Sequence, residues 1–253
     1  MTTETLVLVP IHDEAATIAR VIAGVRAHPV DLLILDDGST DGGGELARAA
    51  GVEVRRFEPN RGKGVVLQEG LRAARERGYR FAVTLDGDLE HDPAELPAFL
   101  AGLAAGHDLV VGQRDVYRSP SRARLNRFAT WWYRQIDPRI TDTICGYRGF
   151  RLAAFADLEV RHAGFEFEQI VLLEAFRKGL SVVFVPVRIT SSTTTGVGTR
   201  DLLRANNAFD RWVLGAWTTL PVSRPRALFL AAAAGVGLAL GELALRVVPA
   251  PKR

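Results

Sequence analysis

Between Thr5 and Gly112, strand-length apolar runs alternate with segments of helical period, and this alternation limits the chain to few folds. Thr5–Pro10, Asp31–Asp36, Val52–Phe57, Phe81–Leu85 and Leu109–Gly112 read as buried strands. The segments between them carry apolar residues three and four apart. In Glu14–Ala27 these are Ile18, Val21, Ile22 and Val25. In Lys63–Gly78 they are Leu67, Leu71 and Ala74, and in Pro93–Ala105 they are Leu96, Phe99, Leu100 and Leu103; Asp41–Ala50 also reads as a helix. Such alternation requires right-handed crossovers, so the expected fold is α/β, a mostly parallel sheet with helices on both faces.

The strands end in polar clusters. Pro10-Ile11-His12-Asp13-Glu14 follows the first, Asp36-Asp37-Gly38-Ser39-Thr40-Asp41 the second, and Asp86-Gly87-Asp88-Leu89-Glu90-His91-Asp92 the fourth. In a doubly wound sheet all three open on the edge where ligands bind. Carboxylates at the first two points can accept hydrogen bonds from ribose and base, while Asp86, Asp88 and Glu90 suit a hard cation beside a diphosphate. Each cluster also has a plainer reading as a solvated turn or helix cap, and Asp92-Pro93-Ala94-Glu95 has the form of a capped helix start. Asn60-Arg61-Gly62-Lys63-Gly64 adds a cation and two glycines ahead of a helix, which suits an anion. The chain has neither a Gly-x-Gly-x-x-Gly after the first strand nor a Gly-Lys-Ser/Thr, so it does not read as a dinucleotide or P-loop protein.

These motifs occur in the order seen in family 2 glycosyltransferases. Pro10-x-x-x-Glu14, Asp36-Asp37-Gly38-Ser39-x-Asp41, Asn60-x-Gly62-Lys63-Gly64, Leu85-Asp86-Gly87-Asp88-Leu89, Gly112-x-Arg114 and Asp142-x-x-x-Gly146-Tyr147-Arg148 together resemble the polyprenyl-phosphate branch, over about Thr5–Val187. The resemblance implies a nucleotide-diphospho-sugar transferase (GT-A type) fold. It also implies an inverting hexosyl transfer from a nucleotide sugar, such as GDP-mannose or UDP-glucose, to a polyprenyl phosphate. Mg2+ or Mn2+ would be held by Asp86, Asp88 and Glu90, with Pro10, Glu14, Asp36, Asp37, Lys63 and Arg200 toward the nucleotide. Asp88, Arg114, Arg122 and Asn126 would serve the reacting groups, the last three at the lipid phosphate. That phosphate is already an anion, so the site needs cations to position it, and arginine's fork suits the task.

Several positions depart from the family pattern. Glu90 stands where Gln is usual, Asp13 where Asn is, Asn126 where Ser is, Cys145 where Ser is, and Ile170 where a second carboxylate is common. Of the lid expected across Thr193–Arg200, only Gly196 fits well. A hydroxyl acceptor is the alternative within the family and would call for a base, with Asp142 and Glu168 as candidates. A nucleophilic Asp-x-Asp phosphatase is set aside because Leu89 and Glu90 supply no Thr or Val. A non-catalytic nucleotide-binding membrane adaptor would be marked by loss of metal ligands, yet Asp86 and Asp88 are present.

The net charge of +3 is too mild to indicate nucleic acid. Positive charge is nevertheless concentrated: between Arg114 and Arg151 lie nine Arg and no Lys, which suits a phosphorylated ligand or an anionic membrane. The single Cys145 excludes an internal disulfide, and nothing at the N-terminus resembles a signal peptide. Phe165–Lys178 reads as a helix, Val182–Pro186 as a late strand, and Asp201–Trp217 as an amphipathic helix with Leu202, Phe209, Val213 and Ala216 on one side. Ala227–Gly241 is uncharged, and the 22 residues to Val248 contain only Glu242 and Arg246. That is about 33 Å of helix, enough to span a bilayer once. The expected organisation is a catalytic domain over 1–199, a juxtamembrane helix and linker over 200–225, and a transmembrane or membrane-associated helix and tail over 226–253. The catalytic domain would then lie on the cytoplasmic side of the cell membrane. A buried hydrophobic hairpin, or a helix packed on a second copy to give a homo-oligomer, is the alternative reading of the apolar run.

Overall fold

The computed structural model describes residues 3–114, 130–131, 133–140, 142–157, 166–189, 199–220 and 222–247, with the side chains at 166, 199–206, 208 and 244–247 outside that description. The chain divides into two compact units: residues 1–117, 145–163 and 180–194 form one, and 118–144, 164–179 and 195–253 the other.

The first unit is built on a seven-stranded sheet in the order β3-β2-β1-β4-β6-β5-β7. Its strands are β1 (Thr5–Ile11), β2 (Asp31–Asp36), β3 (Glu53–Arg56), β4 (Phe81–Thr84), β5 (Leu109–Arg114), β6 (Arg148–Arg151) and β7 (Val182–Val187). The helices α1 (Ile18–Arg26), α2 (Gly43–Ala49), α3 (Lys63–Glu76) and α4 (Leu96–Ala104) connect them. β1 lies between β2 and β4 and is buried along its whole length. Ile18, Val21, Ile22 and Val25 of α1 are buried at the predicted spacing, each contributing roughly 2 kcal/mol by leaving water.

Two local differences from the sequence reading have physical causes. The first helix starts at Ile18, not Glu14, because Asp13 takes a left-handed φ of 60° and Thr17 Oγ1 donates to Gly87 O at 2.7 Å. Residues 13–17 are thus tied to the loop after β4 instead of winding into helix. β6 was not foreseen: Arg-Gly-Phe-Arg has no apolar run, yet it pairs antiparallel with both β4 and β5. The sheet is therefore parallel except for that strand. The capped start at Asp92 is present, with Ala94 N donating to Asp92 Oδ1 at 2.9 Å ahead of a single 3-10 turn, Pro93–Glu95. Glu95 Oε1 accepts from Arg188 N at 2.8 Å, which ties this turn to the end of β7.

In the second unit the described helices are α5 (Glu166–Arg177), α6 (Thr199–Ala216) and α7 (Arg224–Val247). Phe209 and Val213 of α6 are buried as their spacing predicts, and the Phe209 ring lies 4.3 Å from that of Tyr133. α6 and α7 pack along each other. Ala227, Leu230 and Ala234 are buried on the α7 side. Farther along, Gly237 faces Asp210 and Gly241 faces Asn207, so closely that a Cβ at either glycine would strike the facing side chain. Arg211 and Glu242 form an ion pair across the two helices.

Candidate active site

The carboxyl ends of β1, β2, β4 and β5 share one edge of the sheet, and antiparallel β6 begins there, with Arg148 opposite Thr84. Sequence-distant motifs therefore meet at that edge. The Asp86-Gly87-Asp88 turn lies at its centre. Gly87 packs so closely on β1 that a Cβ would come 2.7 Å from Ile11 Cγ2 and 3.2 Å from Pro10 O. Leu89 takes a left-handed φ of 59°, and Glu90 N donates to Asp88 Oδ1 at 2.8 Å.

Two cations of the chain bracket this turn. Lys63 Nζ, from the start of α3, is 2.7 Å from Asp86 Oδ1. Arg114 Nη1, at the end of β5, is 3.7 Å from Glu90 Oε1, with only 11% of its side chain exposed. Burial works against ionisation of Asp86, but the Lys63 charge, with lesser help from His91 and Arg114, holds its pKa below the usual value. Glu14 is shifted the other way. Burial first, then the charges of Asp88 and Asp86, push its pKa up to about 7.

Gly146, two residues before β6, forms the other wall. Its carbonyl accepts from Thr84 Oγ1 at 2.7 Å, and a Cβ there would lie 2.5 Å from Asp86 Oδ2 and 2.8 Å from Lys63 Nζ. The backbone at Gly146 thus comes against the Asp86–Lys63 pair with no room for a side chain. Beneath the turn, His91 is buried with its Nε2 3.6 Å from Cys145 Sγ. Tyr147 stacks on Phe99 at 3.9 Å between ring centroids.

The acidic cluster after β2 is engaged internally. Asp36, fully buried, accepts from Arg56 Nη1 at 2.7 Å and from Ser39 N at 2.8 Å. Asp37 accepts from the backbone N–H of Arg61 at 2.7 Å and of Gly62 at 2.8 Å, which fixes the turn that presents Lys63. His12 Nδ1 lies 3.0 Å from Asp37 O, and Asn60 Nδ2 reaches the same ring nitrogen at 3.3 Å. Arg56 and His91 were not picked out from the sequence: an arginine closing a short polar strand and a histidine inside an acidic turn carry no local signal.

Pro10, Glu14, Asp36, Asp37, Lys63, Asp86, Asp88, Glu90 and Arg114 therefore share one edge of the first unit. Arg122 and Asn126 lie outside the described residues, as does the side chain of Arg200, whose backbone is in the first turn of α6. Asp142 and Glu168, the candidate bases, are buried members of the second unit.

The donor set suits a hard divalent ion: Asp86, Asp88 and Glu90 are all carboxylates, and the charges of Asp88 and Asp86, after burial, help to raise the Glu14 pKa. Among the described residues, no three His, Cys, Asp or Glu side chains already converge as a finished site. Lys63 and Arg114 pair with two of the three carboxylates instead.

Residues 6–158 match the family model described as Glycosyl transferase family 2. Glycosyltransferase AglJ of Haloferax volcanii is 32% identical over 187 residues, covering 71% of this chain and 61% of that protein, so the chain spans less than two thirds of that relative. Polyprenol monophosphomannose synthase of Mycolicibacterium smegmatis is 31% identical over 207 residues, 75% of this chain and 78% of that one. Among solved structures, glucosyl-3-phosphoglycerate synthase from Mycobacterium tuberculosis, in complex with Mn2+, UDP and glucosyl-3-phosphoglycerate, superposes with a TM-score of 0.68. It is 21% identical and covers 88% of this chain and 81% of that one, a likeness of fold.

Proposed function

The chain belongs to glycosyl transferase family 2, and from that premise we propose that it transfers a hexose from a nucleotide sugar to a polyprenyl phosphate at a membrane surface. The observation that carries this reading is the Asp86-Gly87-Asp88 turn at the carboxyl end of β4, bracketed by Lys63 and Arg114. A diphosphate leaving group needs positive charge on one side and a phosphate nucleophile needs it on the other. The site offers a cation toward each.

In this reading an acceptor phosphate oxygen forms a bond to the anomeric carbon while the bond from that carbon to the diphosphate oxygen breaks, its electron pair leaving with the nucleoside diphosphate. A single displacement of this kind inverts the anomeric centre. A divalent ion, Mg2+ or Mn2+, would be held by Asp88 with Asp86 and Glu90 and would supply charge neutralisation at the diphosphate. Lys63 stabilises the same oxygens, and the Asp37 grip on Arg61 and Gly62 keeps Lys63 at the mouth of the site. Arg114, with Arg122 and Asn126, positions the acceptor phosphate; no general base is needed for a group that is already an anion. Pro10, Glu14 and Asp36 shape the nucleotide side, and Arg200 belongs to the lid. The 1–199 region carries the chemistry and 200–253 the membrane attachment, with the catalytic part facing the cytoplasm.

The test is a transfer assay with purified protein in detergent, a panel of GDP- and UDP-sugars, a short polyprenyl phosphate and Mg2+ or Mn2+. Lipid-linked sugar that disappears with EDTA is the expected result. Metal-dependent nucleotide-sugar binding without lipid product would overturn the acceptor assignment and point to a hydroxyl acceptor.

A further inference from the structure

The stretch Arg224–Leu243 is long and apolar enough to cross a membrane by length and composition. Its packing opposes that use. On one face of α7 Ala227, Leu230 and Ala234 are buried, and farther along the same face Gly237 meets Asp210 and Gly241 meets Asn207 of α6. A spanning α7 would carry α6 into the hydrocarbon with it. Asn207, Asp210, Arg211 and Glu242 would follow, and the Arg211 and Glu242 side chains are 56% and 44% exposed. Asp210, which faces Gly237 well inside that stretch, would put a carboxylate into the hydrocarbon, where ionisable groups are costly.

The opposite face of α7 is bare and apolar. Leu228, Phe229, Val236, Leu240 and Leu243 are each more than half exposed. At 3.6 residues per turn they fall in one arc of about 120°, extending about 22 Å along the helix. Arg224 and Arg226, both exposed, flank that arc at the start of the helix, each about 100° from its middle. The strip is narrow, about 22 Å by 10 Å, the width of one helix face. A lipid surface needs no matching partner area, and cations beside an apolar strip suit anionic headgroups.

We propose that α6 and α7 form a hairpin that docks in the plane of an anionic bilayer surface, with the Leu228–Leu243 face of α7 buried in one leaflet and neither helix crossing it. This placement concerns attachment alone and is independent of the proposed reaction. The test uses the full chain and vesicles of phosphatidylcholine with and without phosphatidylglycerol, scored by flotation. Wild type should float with anionic vesicles, and Val236→Glu with Leu240→Glu should lower partitioning by tenfold or more. Arg224→Gln with Arg226→Gln should weaken only the preference for phosphatidylglycerol. For topology, Ser223→Cys and Lys252→Cys variants are bound to preformed vesicles and treated with a membrane-impermeant maleimide. Labelling of both positions from outside is expected; protection of position 252 would establish a span and overturn the proposal. So would a solution dimer that the Val236/Leu240 change dissociates while vesicle binding is absent, which would assign the face to a second copy.

Discussion

Lys63 Nζ lies 2.7 Å from Asp86 Oδ1, so the chain's own ammonium occupies a carboxylate that the family's chemistry assigns to a metal. The pair is only part-exposed, at 20% and 24% of the two side chains. On the proposed function, a divalent ion would compete with Lys63 for Asp86 until a diphosphate drew the lysine away. Lys63→Gln should tighten Mn2+ binding without nucleotide by about fivefold, the equivalent of roughly 1 kcal/mol, while turnover falls at least tenfold. Titration calorimetry of Mn2+ reads the first effect; unchanged or weaker binding would remove Lys63 as a competitor.

Asp88 and Glu14 are linked through charge, because Asp88 is the foremost neighbouring charge raising the Glu14 pKa. Asp88→Asn should reduce metal-dependent transfer by more than a hundredfold, with the fold retained by circular dichroism. The same change should move the Glu14 titration downward, which carboxyl-selective NMR on labelled glutamate would follow. Wild-type turnover in the variant would end the metal assignment.

Glu14 also sets a pH dependence of stability. Its folded pKa of about 7 lies above the ordinary 4.5, so between those values the folded chain holds a proton that the unfolded chain releases. Stability from this group is therefore full at low pH and declines as pH rises through that window. Because Glu14 is only half-buried, solvent screening reduces the loss to about 1–2 kcal/mol. Urea midpoints measured without metal should fall more between pH 5 and pH 8 for wild type than for Glu14→Gln. Parallel curves for the two proteins would reject the shift.

Gly146→Ala tests the wall of the site. A methyl group there would meet Asp86 Oδ2 at 2.5 Å and Lys63 Nζ at 2.8 Å, forcing the pair apart. The lysine tip can yield, so stability should drop by only about 1 kcal/mol, whereas nucleotide-sugar affinity should fall at least tenfold. Thermal melts and equilibrium binding separate the two effects. A large stability loss with unaltered affinity would make Gly146 a folding residue only.

The parallel half of the sheet could be read because β1, β2, β4 and β5 are apolar runs buried on both faces, a pattern that survives without knowledge of neighbours. β6 could not. Arg148 is fully buried, with its Nε donating to Cys145 O at 2.8 Å, and no scale of local preference places such a residue in a central strand. The start of α1 was misread for a related reason: Thr17 satisfies Gly87 O, a partner 70 residues away. At the site, the carboxylates and Lys63 were legible as motifs. Their pairing was not, since Lys63 with Asp86 and Arg114 with Glu90 depend on which strand ends the sheet brings together. The same holds for Asp37, a candidate nucleotide ligand by sequence that the fold uses to clamp the turn before Lys63.

The position of β6 also governs the order in which the molecule can assemble on the ribosome. Among the described residues, β5 has hydrogen-bonded neighbours only in β6 and β7, and the side of β4 away from β1 is covered only by β6. When β5 emerges it has nothing to pair with, and β4 presents an open edge to the cytosol until residues 148–151 follow. The Asp86 turn is thus made early and its Gly146 wall late. During that interval the growing chain offers an unprotected strand to other nascent chains or chaperones.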